Sequence, residues 1–323
     1  EISECLVGSE MCIRDRVVVV FPTPPFWLAN AMIFPIFLVN FRQRYKNIVR
    51  KSLSLKVFSY FCTKKKDIFM ENKKPLVLIS NDDGYHANGI KTLVSFLKDW
   101  CDLLVVAPES ARSGFACAFS VTTPLRLKRR HNMGNDVEVW SCSGTPVDCV
   151  KLALDQFLAD RKPDLIIGGI NHGDNSSVNN HYSGTMGVAK EGCMQHIPSI
   201  AFSSCNYDEN ADLTPLHDGV LKVVKMVLEK GLPEYTCLNV NFPALPPFKG
   251  FKGCRMTHGS WINEVDHRTH PHGYDYYWMV GEYRNDEPET TDTDQWAVNH
   301  GYIAITPTKI DVTDYDWLKN FEL

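Results

Sequence analysis

Residues 75–84 read PLVLISNDDG. Leu76, Val77, Leu78 and Ile79 form a short apolar run with no polar interruption, closed by Asn-Asp-Asp-Gly. Such a run suits a strand buried on both faces of a parallel sheet; a half-exposed strand would alternate. Residues 89–100 (GIKTLVSFLKDW) then place apolar side chains at 90, 93, 94 and 97, one stripe of a helix. Residues 102–108 (DLLVVAP) repeat the buried-strand pattern. Residues 144–159 read as a turn entering a helix, and 163–169 (PDLIIGG) as a third buried strand. A helix over 184–194, a strand over 197–203 and a helix over 216–230 continue the series. This alternation predicts an α/β fold, a Rossmann-like, doubly wound and mostly parallel sheet. Past residue 235 the texture changes to TCLNVNF, DYYWMVG and GYIAITP with Pro- and Gly-rich connections, which predicts C-terminal β-hairpin or arm extensions.

In such sheets ligands bind beyond the carboxyl ends of the strands. The first strand delivers Asn81, Asp82, Asp83 and Gly84; the second is followed by SARSG (110–114). The third runs into GGINHGDN (168–175), and YSGTMG (182–187) comes just after. Each cluster joins oxygen-bearing side chains to glycine. The oxygens suit a hard cation such as Mg²⁺ or Mn²⁺, and no Cys/His set has zinc spacing here. Glycines let backbone N–H groups approach phosphate oxygens, above all at a helix start such as Gly184. Singly, each cluster also reads as a turn or a helix cap. Their fall on one predicted edge of the sheet is what argues for a site.

The chain has 323 residues and a net charge of −4. Residues 1–69 carry a net +6 and the remainder −10. An acidic body argues against a surface that grips nucleic acid, and it requires a metal ion or backbone dipoles to reverse the sign for an anionic substrate. None of the 11 cysteines forms a CxxC pair, which fits reduced thiols in a cytoplasmic protein. Residues 17–41 are apolar and long enough to cross a bilayer, with a basic flank over 42–66, as in a signal anchor. Pro22, Pro24, Pro25 and Pro35 would break that helix. We read 1–69 as a non-native or unstructured extension upstream of a start at Met70, and expect no membrane association unless that segment is genuine. The remaining divisions are a catalytic core over 70–235 and β-rich arms for oligomerisation over 236–323.

Taken in order, ISNDDG (79–84), RSG (112–114), SGTPVDCV (143–150), GGINHGDN (168–175) and YSGTMGVAK (182–190) resemble the signature of the SurE family of metal-dependent nucleotidases. LNVNFP (238–243) and TDTDQWAVNHGYIAITP (291–307) resemble its later segments, so the likeness runs from about Lys74 to Thr313. The departures are FACAFS after RSG, where Ser120 is placed to serve as the family serine, and MGVAKEGC in place of an alanine-rich helix. The resemblance implies hydrolysis of nucleoside monophosphates to nucleoside and phosphate. It implies one divalent cation per subunit, held by Asp82, Asp83, Ser113 and Asn171, and a homodimer or homotetramer. Asp82 and Asp83 are then the catalytic carboxylates, and either is placed to take the proton of the attacking water. Asn81, Gly114, Asn175, Ser183, Gly184 and Thr185 are expected around the substrate phosphate. The alternative is a non-catalytic nucleotide-binding or stress-sensing module on the same fold. His86 lies close enough to Asp83 in sequence to be a possible metal neighbour. His258, His267, His270 and His272 read as a solvated loop, and the neighbouring aromatics as an oligomer interface.

Overall fold

The computed structural model describes residues 74–322 except 132, 135 and 136; the expectations for residues 1–69 lie outside the described residues. β1 (Leu76–Ser80) forms on LVLIS. Val77 and Ile79 enter one core and Leu78 the other. After α1 (Asn88–Leu97), β2 (Asp102–Pro108) divides in the same way, Val105 to one side and Leu104 and Val106 to the other. Both faces are covered, which is why neither strand shows a polar alternation.

The chain continues through β3 (Leu127–Arg130), β4 (Glu138–Cys142), α2 (Pro146–Gln156) and β5 (Leu165–His172). Then come α3 (Asn179–Tyr182), α4 (Gly184–Met194), β6 (Ser199–Ser204), α5 (His217–Lys230) and β7 (Thr236–Phe242). The C-terminal part adds β8 (Phe251–Gly253), β9 (Gly259–Ile262), β10 (Val265–Thr269), β11 (Asp275–Met279) and β12 (Glu282–Asn285). It closes with α6 (Asp294–Asn299), β13 (Ile303–Lys309) and α7 (Tyr315–Lys319).

Nine strands make one sheet in the order β3-β4-β2-β1-β5-β6-β7-β13-β8. From β4 across to β7 all neighbours are parallel. β3 and β13 run antiparallel to their neighbours β4 and β7. The sheet crosses the 235/236 division, since β7, β8 and β13 extend it. Helices α1 and α5 cover one face through Ile90, Leu93, Leu97, Val220 and Val224. Helices α2 and α4 cover the other through Val150, Ala153 and Val188. Each fully buried Val, Leu or Ile side chain of this kind contributes roughly 1.5–3 kcal/mol. From β1 the chain first builds outward through β2 and β4, then returns to place β5 on β1's other side. The switch point of the sheet therefore lies between β1 and β5, where ligand crevices open.

β9 pairs with β12, and β10 with β11, as two small antiparallel sheets. The late histidines belong to this ordered arm: His267 lies in β10, 3.2 Å from Asp275, and His270 stacks on Tyr274. Fully buried Asp294 ties the arm to the core by accepting hydrogen bonds from the backbone N–H groups of Ser177 and Thr257, both at 3.0 Å. Among the described residues no helix is long and apolar enough to cross a membrane.

Candidate active site

Asp82 stands at the carboxyl end of β1, beneath the first turn of α4. Its Oδ2 accepts the Gly184 N–H at 3.2 Å and its Oδ1 accepts the Thr185 hydroxyl. Ser183 caps α4 by accepting the Met186 N–H at 3.0 Å, which fixes that turn over the carboxylate. Gly184 is required for the approach: a Cβ there would lie 2.7 Å from the Asp82 Cβ. The helix start favours an anion, yet burial dominates and pushes the Asp82 pKa up to about 6. The Asp83 charge adds to this, while the Thr185 and Gly184 hydrogen bonds pull the other way.

Asp83 is less deeply buried and faces a cleft of about 610 Å³. Its pKa is raised, chiefly by burial; His172, with Nδ1 at 3.1 Å from Asp83 Oδ1, opposes the rise. Glu209, across the cleft, adds to it.

The other expected ligands come from the neighbouring strand ends. The Arg112 N–H donates to the Asp82 carbonyl at 2.6 Å, which sets the turn carrying Ser113 and Gly114 against the β1 terminus. Ser113 and Gly114 are exposed. The Ala116 N–H donates to the Tyr182 carbonyl at 3.0 Å, tying the same loop to the start of α4. Asn171 sits near the end of β5, past a register irregularity between Gly168 and Asn171. Irregularities of this kind re-aim a side chain next to a site. Its Nδ2 donates to the Gly173 carbonyl at 2.7 Å, which leaves Oδ1 as the oxygen open to a ligand.

The residues expected around phosphate have other engagements here. Asn81 closes its own turn, exchanging hydrogen bonds with Gly84 through Nδ2 and Oδ1, both at 3.1 Å. Asn175 turns inward: its Nδ2 donates to Ser203 Oγ and its N–H to Asn241 Oδ1, both at 2.8 Å. The Gly184 amide and the Thr185 hydroxyl are both spent on Asp82. Ser120 is bound to Asp148 through both its N–H (2.9 Å) and its hydroxyl (2.7 Å), completing the N-terminus of α2. His86 lines the cleft, its ring edge-on to Tyr85.

These donors fit a hard divalent cation. Two adjacent carboxylates stand together, one of them buried where an unneutralised charge is costly, as its raised pKa records. Among the described residues neither forms an ion pair with Lys or Arg. The residues expected to accompany them, Ser113 and Asn171, carry neutral oxygens, a hydroxyl and an amide. Among the described residues no group of three or more His, Cys, Asp or Glu side chains is placed to hold a metal.

Three contributors escape a local reading of the sequence: His172 beside Asp83, the Glu209 wall, and Tyr207. The Tyr207 hydroxyl donates to Asp174 at 2.5 Å, and its ring occupies the space beside Gly173, where a Cβ would lie 2.8 Å from it. NYDEN (206–210) follows β6 on the same carboxyl edge, so the edge rule that singles out the other loops reaches it too.

Fold and rim together define a doubly wound α/β protein with an acidic cleft at its switch point. The family described as "Survival protein SurE" matches residues 77–263. Curated relatives named "5'-nucleotidase SurE" include one from Bacteroides thetaiotaomicron, 50% identical over 77% of this chain and 95% of its own length. Another, from Phocaeicola vulgatus, is 49% identical over 79% of this chain and 99% of its own. The crystal structure of the SurE protein from Aquifex aeolicus superposes with a TM-score of 0.66 at 37% identity, covering 76% of this chain and 98% of that one. The chain belongs to the SurE family.

Proposed function

We propose that the chain is a 5'-nucleotidase that hydrolyses nucleoside monophosphates to nucleoside and phosphate, using one Mg²⁺ or Mn²⁺ per subunit. The observation that carries this is the pair Asp82 and Asp83 at the β1 terminus, with the Ser113 turn hydrogen-bonded to Asp82 and Asp83 opening on the cleft. The names of the half-identical relatives point the same way.

Asp82 and Asp83 hold the cation through their carboxylates, Ser113 through Oγ and Asn171 through Oδ1. When bound, the cation supplies Lewis acidity to a phosphoryl oxygen and lowers the pKa of a water. Thr185 and Gly184 orient Asp82, and the Gly173 carbonyl orients the Asn171 amide. One of the two aspartates takes the proton of the attacking water. Gly114 leaves open space beside its Cα, so the phosphate can come close to the backbone there. The cleft beyond Asp83 is of the size that takes a nucleoside.

A non-catalytic nucleotide-binding module is not favoured, because the sequence keeps all four donor residues and the half-identical relatives are named as nucleotidases. A homodimer or homotetramer is supported by the apolar side chains that the β10–β11 arm and the C-terminus leave exposed, Tyr277, Trp278, Met279 and Trp317 among them. A cytoplasmic location is supported by eight free cysteines among the described residues. The test is phosphate release from AMP with Mn²⁺ and with EDTA. Release should require the cation, and Asp82→Asn or Asp83→Asn should lower it on the order of 100-fold or more. Full activity in either variant would overturn the assignment.

A further inference from the structure

The two aspartates at the β1 terminus are supported from different sides. Asp82 is oriented from α4, by the Gly184 N–H and the Thr185 hydroxyl. For Asp83 the corresponding support comes from His172, whose ring and main-chain N–H both favour the ionised carboxylate. The ring lines the cleft with its Nδ1 3.1 Å from Asp83 Oδ1, and its side chain is 38% exposed.

His172 is the last residue of β5, directly after Asn171. The register shifts past Gly168, and the strand pairs again with β6 through Asn171 opposite Ser203 and His172 opposite Ser204. The Gly173 N–H then donates to the Ser204 carbonyl at 2.8 Å. Gly173 has a φ of +100°, and the Tyr207 ring fills the place where a Cβ would stand. The backbone that carries the ring is therefore pinned before and after it. One strand end thus serves two of the proposed ligands: Asn171 itself, and Asp83 through His172.

We propose that His172 is a positioning residue for the cation: its ring N–H holds Asp83 Oδ1, so that Oδ2 is presented to the metal in one direction. This rests on the cation site of the nucleotidase reading. Carboxylates that ligate a metal are themselves held by hydrogen bonds, and loss of such a partner weakens metal binding by about 10- to 100-fold. The neutral ring protonated at Nδ1 and the imidazolium both offer that N–H, so the role does not depend on the charge of the ring.

The experiment is calorimetric titration of Mn²⁺ into the parent, His172→Asn and His172→Phe. Asn carries its Nδ2 donor on Cγ, as His carries Nδ1, whereas Phe keeps a ring without a donor. Affinity should fall about 10-fold in His172→Phe, the low end of the range because the ring is partly exposed, and stay within about threefold of the parent in His172→Asn. His172→Ala is the second donor-free variant, read if His172→Phe lacks a native circular dichroism spectrum. The Mn²⁺ dependence of AMP hydrolysis should move in step. Half-maximal rate should need about 10-fold more Mn²⁺ in His172→Phe, with kcat at saturating Mn²⁺ near parental, a split that a merely structural defect would not give. Parental affinity in the donor-free variants overturns the proposal. An equal loss in His172→Asn and His172→Phe also overturns it, since the ring would then be a ligand or a packing element. So does the lack of one-to-one Mn²⁺ binding in the parent. If the parent binds Mn²⁺ but releases no phosphate from AMP, the nucleotidase reading fails, and the affinities still decide the role of His172.

Discussion

The Gly184 amide donates to the Asp82 carboxylate at 3.2 Å, joining the first turn of α4 to the end of β1 across 102 residues of sequence. This contact aims one of the two carboxylates on which the proposed cation site depends, and it is close because position 184 has no side chain. A Cβ there would lie 2.7 Å from the Asp82 Cβ and 3.0 Å from Oδ2.

Gly184→Ala should therefore displace Asp82 while leaving the sheet intact. A misplacement near 1 Å at a reacting centre costs on the order of 100-fold, and kcat/KM for AMP should fall by about that much. Steady-state kinetics with circular dichroism checks this. Near-parental kcat/KM with a native spectrum would show that the close contact does not set the geometry.

Asp82 also makes stability depend on pH. Folding holds its proton up to about pH 6, against an ordinary value of 3.8. Between those values the folded chain binds more protons than the unfolded one, so this group's contribution to stability falls as pH rises through the window. Asn at 82 carries no such charge. Without divalent cations, Asp82→Asn should be the more stable protein at pH 7 by on the order of 3 kcal/mol, and the margin should close below about pH 4. Denaturant melts in EDTA from pH 4 to 7.5 measure it. A margin that does not vary with pH would contradict the stated cause.

Asp294 is a different kind of buried carboxylate. It accepts from the Ser177 and Thr257 amides, from the Thr257 hydroxyl at 2.6 Å and from the Gln295 amide at 2.8 Å. Asp294→Ala leaves several buried donors without a partner, each costing about 1–3 kcal/mol. The expected loss is about 3–5 kcal/mol, read as a drop in Tm of roughly 10 °C. A drop under about 2 °C would mean that water replaces the carboxylate without penalty.

The parts of the fold legible in the sequence are those whose environment is uniform along the segment. The run at 102–108 reads as a buried strand and is β2, TCLNVNF is β7, and the helix read over 184–194 is α4. β3 is not legible, because an edge strand made of LKRR has no buried face to imprint a pattern and its charges protect the edge. β4 is short and follows directly on a loop, so EVWSC shows too little periodicity. β5 extends two residues past the apolar run, into Asn171 and His172, because the sheet hands over to the site there.

In the site, the adjacency of Asp82 and Asp83 is a local fact that the sequence displays. The pairing of Asp83 with His172 and the placing of Glu209 opposite Asp83 depend on β5 lying beside β1 and β6 beside β5, which is information about the sheet order. The inward turn of Asn175 likewise depends on β7 bringing Asn239 and Asn241 beneath it: Asn239 Nδ2 donates to the Asn175 carbonyl at 2.7 Å.

The central claim is that one divalent cation rests on side-chain oxygens from the ends of β1 and β5 and from the turn after β2. Calorimetric titration of Mn²⁺ into the parent, Asp83→Asn, Ser113→Ala and Asn171→Ala measures this without reference to turnover. The account predicts one ion per chain in the parent, no detectable binding in Asp83→Asn, and affinity weakened about 10- to 100-fold in the other two. Parental stoichiometry and affinity in all three variants would place the cation elsewhere and contradict the account.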